Sequence, residues 1–467
     1  GKKTAQVPLG LLTVAALLPE DWEIKVVDMN VEDLRDEIIR WADMVFIGAM
    51  TVQKDSVRQV ADRCHSLGKP VVAGGPLFTS CPEDFSDLDY LVLNEAESTL
   101  PLFLKELAAG NPRRVYTTEE KPDITLTPLP RWDLININLY AAMSVQYSRG
   151  CPYDCEFCDN VYLNGRHPRI KSNRQMIREF DILYERGWRG GIFIVVENFI
   201  GNTLMAKTLL GKLAQWQEER DFPFILSTYT TVNLAQDKEL MRMMTSAGFD
   251  SVCLGLETPV EKSLEECDKN QNRSMDMTDA VKTIQKNGMN VIGSFIIGFD
   301  SDPPDIFERQ IKFIQSCGIA MAIVGLLNAF PGSRLYRRLE DEGRLLGHFS
   351  GDNCDGSINF IPKMDPLILK EGYKTVLNHI YSPQGYYLRV LEFLSTYQPI
   401  RRRRITLLGM NAFFKSILYL GILDKWSNSV YFWKLFFKAL LSYRKSFGEA
   451  IMLMIFGYHF RQLIKGE

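Results

Sequence analysis

The run Cys151-Pro-Tyr-Asp-Cys155-Glu-Phe-Cys158 places three thiols in C-x3-C-x2-C spacing, with Ser148-Arg149-Gly150 before them and Asp159-Asn160 after. Three thiolates this close can wrap three corners of a cubane if the chain curls around it, and soft sulfur ligands of this kind select iron–sulfur or zinc. A closed zinc site needs a fourth ligand nearby. His167 is the nearest histidine, and the flanking cysteines Cys81 and Cys253 are remote in sequence. The spacing therefore predicts a three-plus-one iron–sulfur cluster whose fourth iron takes a ligand from outside the chain.

Around this loop the sequence alternates between strand and helix patterns. The apolar run from Leu9 to Leu18 reads as a helix and Trp22 to Asp28 as a buried strand. A helix follows near Val31 to Trp41, then a strand Met44 to Gly48, a helix Lys54 to Leu67, and strands Pro70 to Gly75 and Tyr90 to Leu93. Alternation at this spacing implies a doubly wound parallel sheet. Such a fold usually opens with a strand, and none precedes the first helix, so the expectation is a domain that lacks its first strand. Residues 117–140, with Pro128 and Pro130, read as an extended linker. From residue 141 a second alternating series begins. Strands are expected at Val145 to Tyr147, Gly191 to Val196, Phe224 to Thr228, Ser251 to Leu256, Asn290 to Ile297 and Ala320 to Leu326. With their helices these make a partial (β/α)6 barrel, whose functional residues belong at strand C-termini. Those ends carry Glu197-Asn198, Tyr229-Thr230-Thr231, Glu257-Thr258 and Gly298-Phe299-Asp300. The expected domains are 1–116, 141–346 and a mostly helical 347–467.

The cysteine spacing, with aromatic Phe157 before the third cysteine, resembles the radical S-adenosylmethionine (SAM) enzymes. The resemblance implies a [4Fe-4S] cluster held by Cys151, Cys155 and Cys158, and SAM chelating the open iron and cleaved to methionine and a 5′-deoxyadenosyl radical. Carried over by position, it implies contacts from Glu197 and Asn198 to the amino acid part of SAM, and from Tyr229 and Glu257 to its ribose and adenine. The usual glycine-glycine-glutamate run at the second strand is missing here, with Val196 where relatives often have an acid.

The first domain is similar to the cobalamin-binding module that precedes many such cores. Ligands of open α/β sheets bind beyond the strand carboxyl ends, which marks Asp28 and Asn30, Met50, Thr51 and Gln53, Gly74 and Gly75, and Asn94 and Glu95. Modules that replace the lower axial base of cobalamin carry Asp-x-His-x-x-Gly, whereas this chain reads Asp28-Met29-Asn30-Val31-Glu32-Asp33. The resemblance thus implies cobalamin without a histidine ligand, its lower face covered by side chains near Met50 to Gln53. His65 reads as a helix-surface residue, and Cys253, Cys267, Cys317 and Cys354 as thiols without ligand spacing.

The net charge of −3 conceals an asymmetry: residues 401–467 carry +9, so the remainder is −12. After Arg401 to Arg404 the tail mixes lysines with aromatics and has no apolar run long enough to span a bilayer. Trp433, Phe436 and Phe437 share one helical face beside Lys434 and Lys438, a pattern suited either to an anionic membrane surface or to packing onto the barrel. Nine cysteines without a disulfide framework, and no visible signal peptide, place the expectation in the cytoplasm, peripheral to the inner membrane face.

Over essentially the whole chain the arrangement resembles cobalamin-dependent radical SAM enzymes that include hopanoid C-2 methylases. This implies methyl transfer to an unactivated carbon of a hydrophobic polycyclic or lipid-like substrate, with an external electron donor of flavodoxin or ferredoxin type and no nucleic acid. Alternative readings are a cyclase or rearrangement enzyme using the same cofactors, and a cobalamin-responsive binding protein.

Overall fold

The computed structural model describes residues 4–347, 350–352, 355–400 and 407–465. They form two compact units, Gly1–Leu226 with Ala329–Asp352, and Ser227–Asn328 with Asn353–Glu467.

The first unit holds a four-stranded parallel sheet in the order β1 (Val45–Gly48), β2 (Val71–Gly74), β3 (Tyr90–Val92), β4 (Val115–Tyr116). Both faces are covered, as a parallel sheet requires. Val71 and Ala73 point to a core that includes Val57, Val60, Ala61 and Cys64 of helix Lys54–Ser66. Those four recur at i, i+3, i+4 and i+7, one helical stripe. Val72 points the other way, to a core with Val92, Leu100, Phe103 and Tyr116. The period of two in the strand thus divides its side chains between two helical layers.

The expected strand at Trp22 to Asp28 does not form. Its residues run without a regular element until the turn at Asp28, and Trp22 rests edge-on against Phe46. A strand needs a neighbour to exchange hydrogen bonds with, and the described residues give this segment none in a sheet. The helix expected from Val31 is confined to Asp36–Trp41. The short β4 was not anticipated.

Within the same unit β5 (Ala142–Gln146) pairs in parallel with β8 (Gly191–Val195), while β6 (Ser148–Arg149) and β7 (Arg169–Ile170) form a small antiparallel pair. Helix Asn173–Glu185 starts with a capping box in which Ser172 and Gln175 satisfy each other's backbone N–H. The linker region folds into three short 3-10 turns, with Trp132 buried.

The second unit begins within β9 (Ile225–Thr230) and contains β10 (Phe249–Glu257), β11 (Asn290–Ile297) and β12 (Met321–Leu326), the last three paired in parallel. Each interval between them is filled by helix, as the βα pattern predicts. Helices Pro366–Ile380 and Pro383–Thr396 follow, separated at the Tyr381-Ser382-Pro383 break, and then Leu407–Ser416, a π-helical stretch Ile417–Leu423, Trp426–Ser442 and Phe447–Lys465. Cys354 and the run Arg401 to Arg404 lie outside the described residues.

Candidate functional site

The cysteine loop is closed at its base by the β6–β7 pair, with Ser148 opposite Ile170 and Arg149 opposite Arg169. Gly150 then takes a φ of 100°, open to glycine alone without strain. A Cβ there would meet His167 O at 2.6 Å and Gly165 O at 3.1 Å. Cys151 N donates to Gly165 O, and Cys158 N to Cys155 O. Cys155 is buried; Cys151, Phe157 and Cys158 are half-buried. The loop residues other than the cysteines are held from behind by helix Arg334–Asp341. Arg338 grips Glu156 through Nε (2.7 Å) and Nη2 (3.1 Å), Leu335 N donates to Glu156 O, and Arg334 Nη2 to Asp154 O.

Arg149, immediately before this loop, reaches the loop that follows β3. Its Nη1 lies 2.6 Å from Glu95 Oε2 and its Nη2 2.7 Å from Glu97 Oε1. Arg169, across the β6–β7 pair, donates to both oxygens of Glu95 at 2.7 and 2.9 Å. Two guanidinium groups and two carboxylates thereby form a neutral, largely buried quartet, their side chains 8–18% exposed, completed by Gln146 on Arg149 Nε and Thr127 on Glu97. Burial pushes Glu97 up, but the hydrogen bonds and charge of Arg149 outweigh it and hold the carboxyl below its usual range. Separation along the chain hid this quartet, although a pair of acids after one strand and a pair of arginines flanking the ligand loop are a visible signal.

At the end of β8, Asn198 is buried and accepts from Ile200 N. Glu197 receives Asn164 Nδ2 on Oε1 at 2.8 Å, while its Oε2 is buried with no partner. Burial raises this carboxyl, opposed by the backbone N–H groups of Glu197 and Gly150 and then by the charges of Arg149 and Arg169. The Tyr147 hydroxyl is also buried and unpartnered. Such orphaned groups are costly in a finished core, and a ligand or an ordered water can supply the missing bond.

The other loops of this unit that the sequence marked for a ligand are shaped by their own side chains, the turn at Asp28 without a strand before it. Asp28 Oδ1 accepts from Asn30 N and Nδ2, and its Oδ2 from the Tyr140 hydroxyl. The position where a module with a histidine ligand carries imidazole is therefore a closed turn. Gln53 Oε1 accepts from Met50 N, and Asn94, at a φ of 62°, accepts from Thr117 and Thr118. Met50 is exposed, Thr51 sits in the same turn, and Gly75 has a φ of 97° with nothing nearer than 3.8 Å to a Cβ. Gly74 faces Val92 O, 2.6 Å from where its Cβ would be. His65 lies on the helix surface and pairs with Asp89 at 2.9 Å.

In the second unit Glu257 ends β10 at a φ of 61°, uncommon for a residue with a side chain. Its Oε1 is 2.8 Å from Lys269 Nζ in a buried pair, and its carbonyl receives Gln310 Nε2. Lys269 was not anticipated from sequence, having no periodic relation to the strand. Asn272 Nδ2 donates to Gly255 O and Leu256 O, leaving its Oδ1 buried and unpartnered, as are the hydroxyls of Thr230 and Thr231 after β9. Tyr229, on β9, is exposed, and Cys253 is buried, its thiol pushed up to about 12. Beyond β11, Asp302 accepts from Gly298 N, Phe299 N and Ser263 Oγ, and burial raises its carboxyl to about 6.

Residues 3–104 match the B12 binding domain, 145–314 the radical SAM superfamily and 333–466 a domain of unknown function, DUF4070. An uncharacterized methyltransferase of Synechocystis sp., sll1242, is 42% identical over 83% of this chain and 73% of its own length. The chain belongs to the cobalamin-binding radical SAM methyltransferases. The hopanoid C-2 methylase of Rhodopseudomonas palustris is 35% identical over 81% of this chain and 72% of its own length. The fold matches that of the radical SAM methyltransferase TsrM from Kitasatospora setae, solved with cobalamin and a [4Fe-4S] cluster, with a TM-score of 0.64, 15% identity and coverage of 98% of this chain and 100% of that one.

The family uses a [4Fe-4S] cluster, SAM and cobalamin, and the residues present fit them. Three thiols lie on a loop braced at its base and its back. No three His, Cys, Asp or Glu side chains among the described residues are gathered for a single metal ion; a cubane takes one thiolate per iron. The buried, unpartnered Glu197 Oε2 suits the ammonium group of an amino acid. Gly75, where a Cβ would make only ordinary contact with the Ala49 backbone, and the exposed, apolar Met50 suit a flat ligand beyond the sheet.

Proposed function

We propose that this enzyme methylates an unactivated carbon of a hydrophobic polycyclic or lipid-like substrate, hopanoid-like or a tetrapyrrole, in the cytoplasm and in peripheral contact with the inner membrane face. The observation that carries the substrate class is the 35% identity to a hopanoid C-2 methylase across most of both chains.

When bound, the cluster and SAM supply a 5′-deoxyadenosyl radical that removes hydrogen from an inert carbon, and cobalamin supplies the methyl group. In this reading Cys151, Cys155 and Cys158 hold the cluster, and Phe157 packs beside it. Glu197 accepts from the SAM ammonium, where its deficit of hydrogen bonds favours a charged donor, and Asn198 fixes the turn that presents it. Glu257, oriented by Lys269, receives the ribose hydroxyls, and Tyr229 borders the adenine. Thr51, Gly74, Gly75 and Met50 meet cobalamin, while Asp28, Asn30, Gln53, Asn94 and Glu95 set the shape of the loops around it. The electron comes from an external flavodoxin- or ferredoxin-type donor.

Anaerobic reconstitution with candidate hopanoids and tetrapyrroles, using methyl-labelled SAM, tests the proposal by mass analysis of products. Labelled methyl in a hydrophobic product is expected. A product rearranged or cyclised without label would instead identify a different radical outcome.

A further inference from the structure

The helices from Leu407 to Lys465 separate their polar and apolar groups in an unusual way. Asp424 and Glu449 are the only acids among them, and neither is exposed. Glu449 is buried, and Asp424 is tucked against Asn428 (2.9 Å) and Arg461 (4.0 Å). Lys415, Lys425, Lys434, Lys438, Arg444 and Lys445 are all exposed. The charge that this segment shows to solvent is therefore of one sign.

Large apolar side chains share that surface. Phe414, Leu418 and Ile422 follow one another at i+4, joined by Leu423, Trp426 and Leu441. Trp426 is 82% exposed, the highest value among the described large hydrophobic residues. The helices do possess an inner face, made by Phe432, Leu435, Ala439 and Leu453. The face of Trp433, Phe436 and Phe437, for which the sequence left membrane contact and packing both open, belongs largely to that interior. Phe436 packs against Phe413 and Phe447, and Trp433 donates from Nε1 to Gly421 O. Only Phe437 of the three is exposed. The outward residues cluster instead on the π-helical stretch Ile417–Leu423 and the start of the next helix, and no described helix is long and apolar enough to cross a bilayer.

We propose that the surface formed by Phe414, Leu418, Ile422, Leu423 and Trp426 docks on an anionic lipid bilayer. Its apolar side chains enter the headgroup and acyl boundary, and the surrounding lysines meet anionic lipid. Charge complementarity selects this occupant, because the charged side chains that these helices expose are cationic and would face their own kind in a symmetric dimer. The inference deepens the peripheral membrane contact proposed above and rests on it, but not on the methyl-transfer chemistry.

The test is cosedimentation of the full-length, cofactor-loaded protein with vesicles of phosphatidylcholine alone or mixed with phosphatidylglycerol. A triple variant Ile422→Ser, Leu423→Ser, Trp426→Ser and a charge variant Lys425→Gln, Lys434→Gln, Lys438→Gln are run beside it. Binding to the mixed vesicles, weakened by salt and reduced about tenfold or more in both variants, is the expected result. Wild-type binding that both variants retain would leave membrane contact in place and remove this surface from it. No wild-type binding would remove both. A concentration-dependent dimer lost in the triple variant would make the surface a self-association face and overturn the proposal. Trp426→Ser alone, read by vesicle affinity and thermal midpoint together, separates lost docking from lost folding.

Discussion

The quartet Glu95, Glu97, Arg149 and Arg169 withdraws charge from solvent and balances it; the helices beyond Leu407 keep both their acids from full exposure and leave cations and apolar groups outside. A buried ion without its partner costs several kcal/mol, so the first arrangement fixes geometry between the loop after β3 and the loop that holds the thiols. An exposed leucine or tryptophan costs the fold little. The second arrangement therefore carries interaction, and its residues are free to change without threatening the structure. Rigidity sits where cofactors must be aligned, and tolerance where a surface must adapt.

The comparison can be broken most severely at the thiols. Replacing any one of Cys151, Cys155 or Cys158 with Ala is expected to abolish 5′-deoxyadenosine formation under reducing conditions, followed chromatographically. Retained cleavage in all three would detach the loop from the chemistry. Next is Arg149→Met, which strands Glu97 and leaves Glu95 to Arg169 alone, and should cost about 3–5 kcal/mol in denaturant unfolding. Adding Glu97→Gln to it should restore part of that loss, a non-additivity that independent sites would not give.

A third test moves to the second unit. Folding raises the Asp302 carboxyl from its ordinary 3.8 to about 6, so the native state holds the proton more tightly than the unfolded chain. The stability associated with this group is full below the unfolded value and is lost as pH rises through the folded one. Asp302→Asn should flatten the stability profile between about pH 4 and 6 and raise stability at neutral pH by on the order of 2–3 kcal/mol. A profile parallel to wild type would show that the carboxyl titrates normally. The smallest effect is expected at Trp426→Ser, which should alter unfolding free energy by no more than about 0.5 kcal/mol. A larger loss would place Trp426 in the core of the helices.

Much of this was readable from the chain. Periodicity located β2 and β11 almost to the residue, because each is bounded by glycine or proline. Trp22 to Asp28 failed for the opposite reason: alternation describes one strand, and a strand exists only with its neighbour. The face shared by Trp433, Phe436 and Phe437 was found correctly, but periodicity does not say which side of a helix has company, and Phe413 and Phe447 had already taken it. Lys269 beside Glu257, and Arg149 beside Glu95, depend on contacts between distant positions that no local pattern encodes.

The β6–β7 pair has a further consequence. Because Ser148 and Arg149 are registered against Ile170 and Arg169, and Gly150 lies hard against the backbone at His167, the ligand loop is a closed ring of set circumference. An inserted or deleted residue between Cys158 and Pro168 that the loop does not absorb slips the register, and a slip by one reverses which side of the ribbon the residues of the moved strand face. Arg169 would then swing away from Glu95 while Arg149 stayed. Length in a segment that carries no cysteine thus becomes a condition on how the cysteines face the loop after β3, and the operative motif is the whole ring, of which the three cysteines are the conspicuous part.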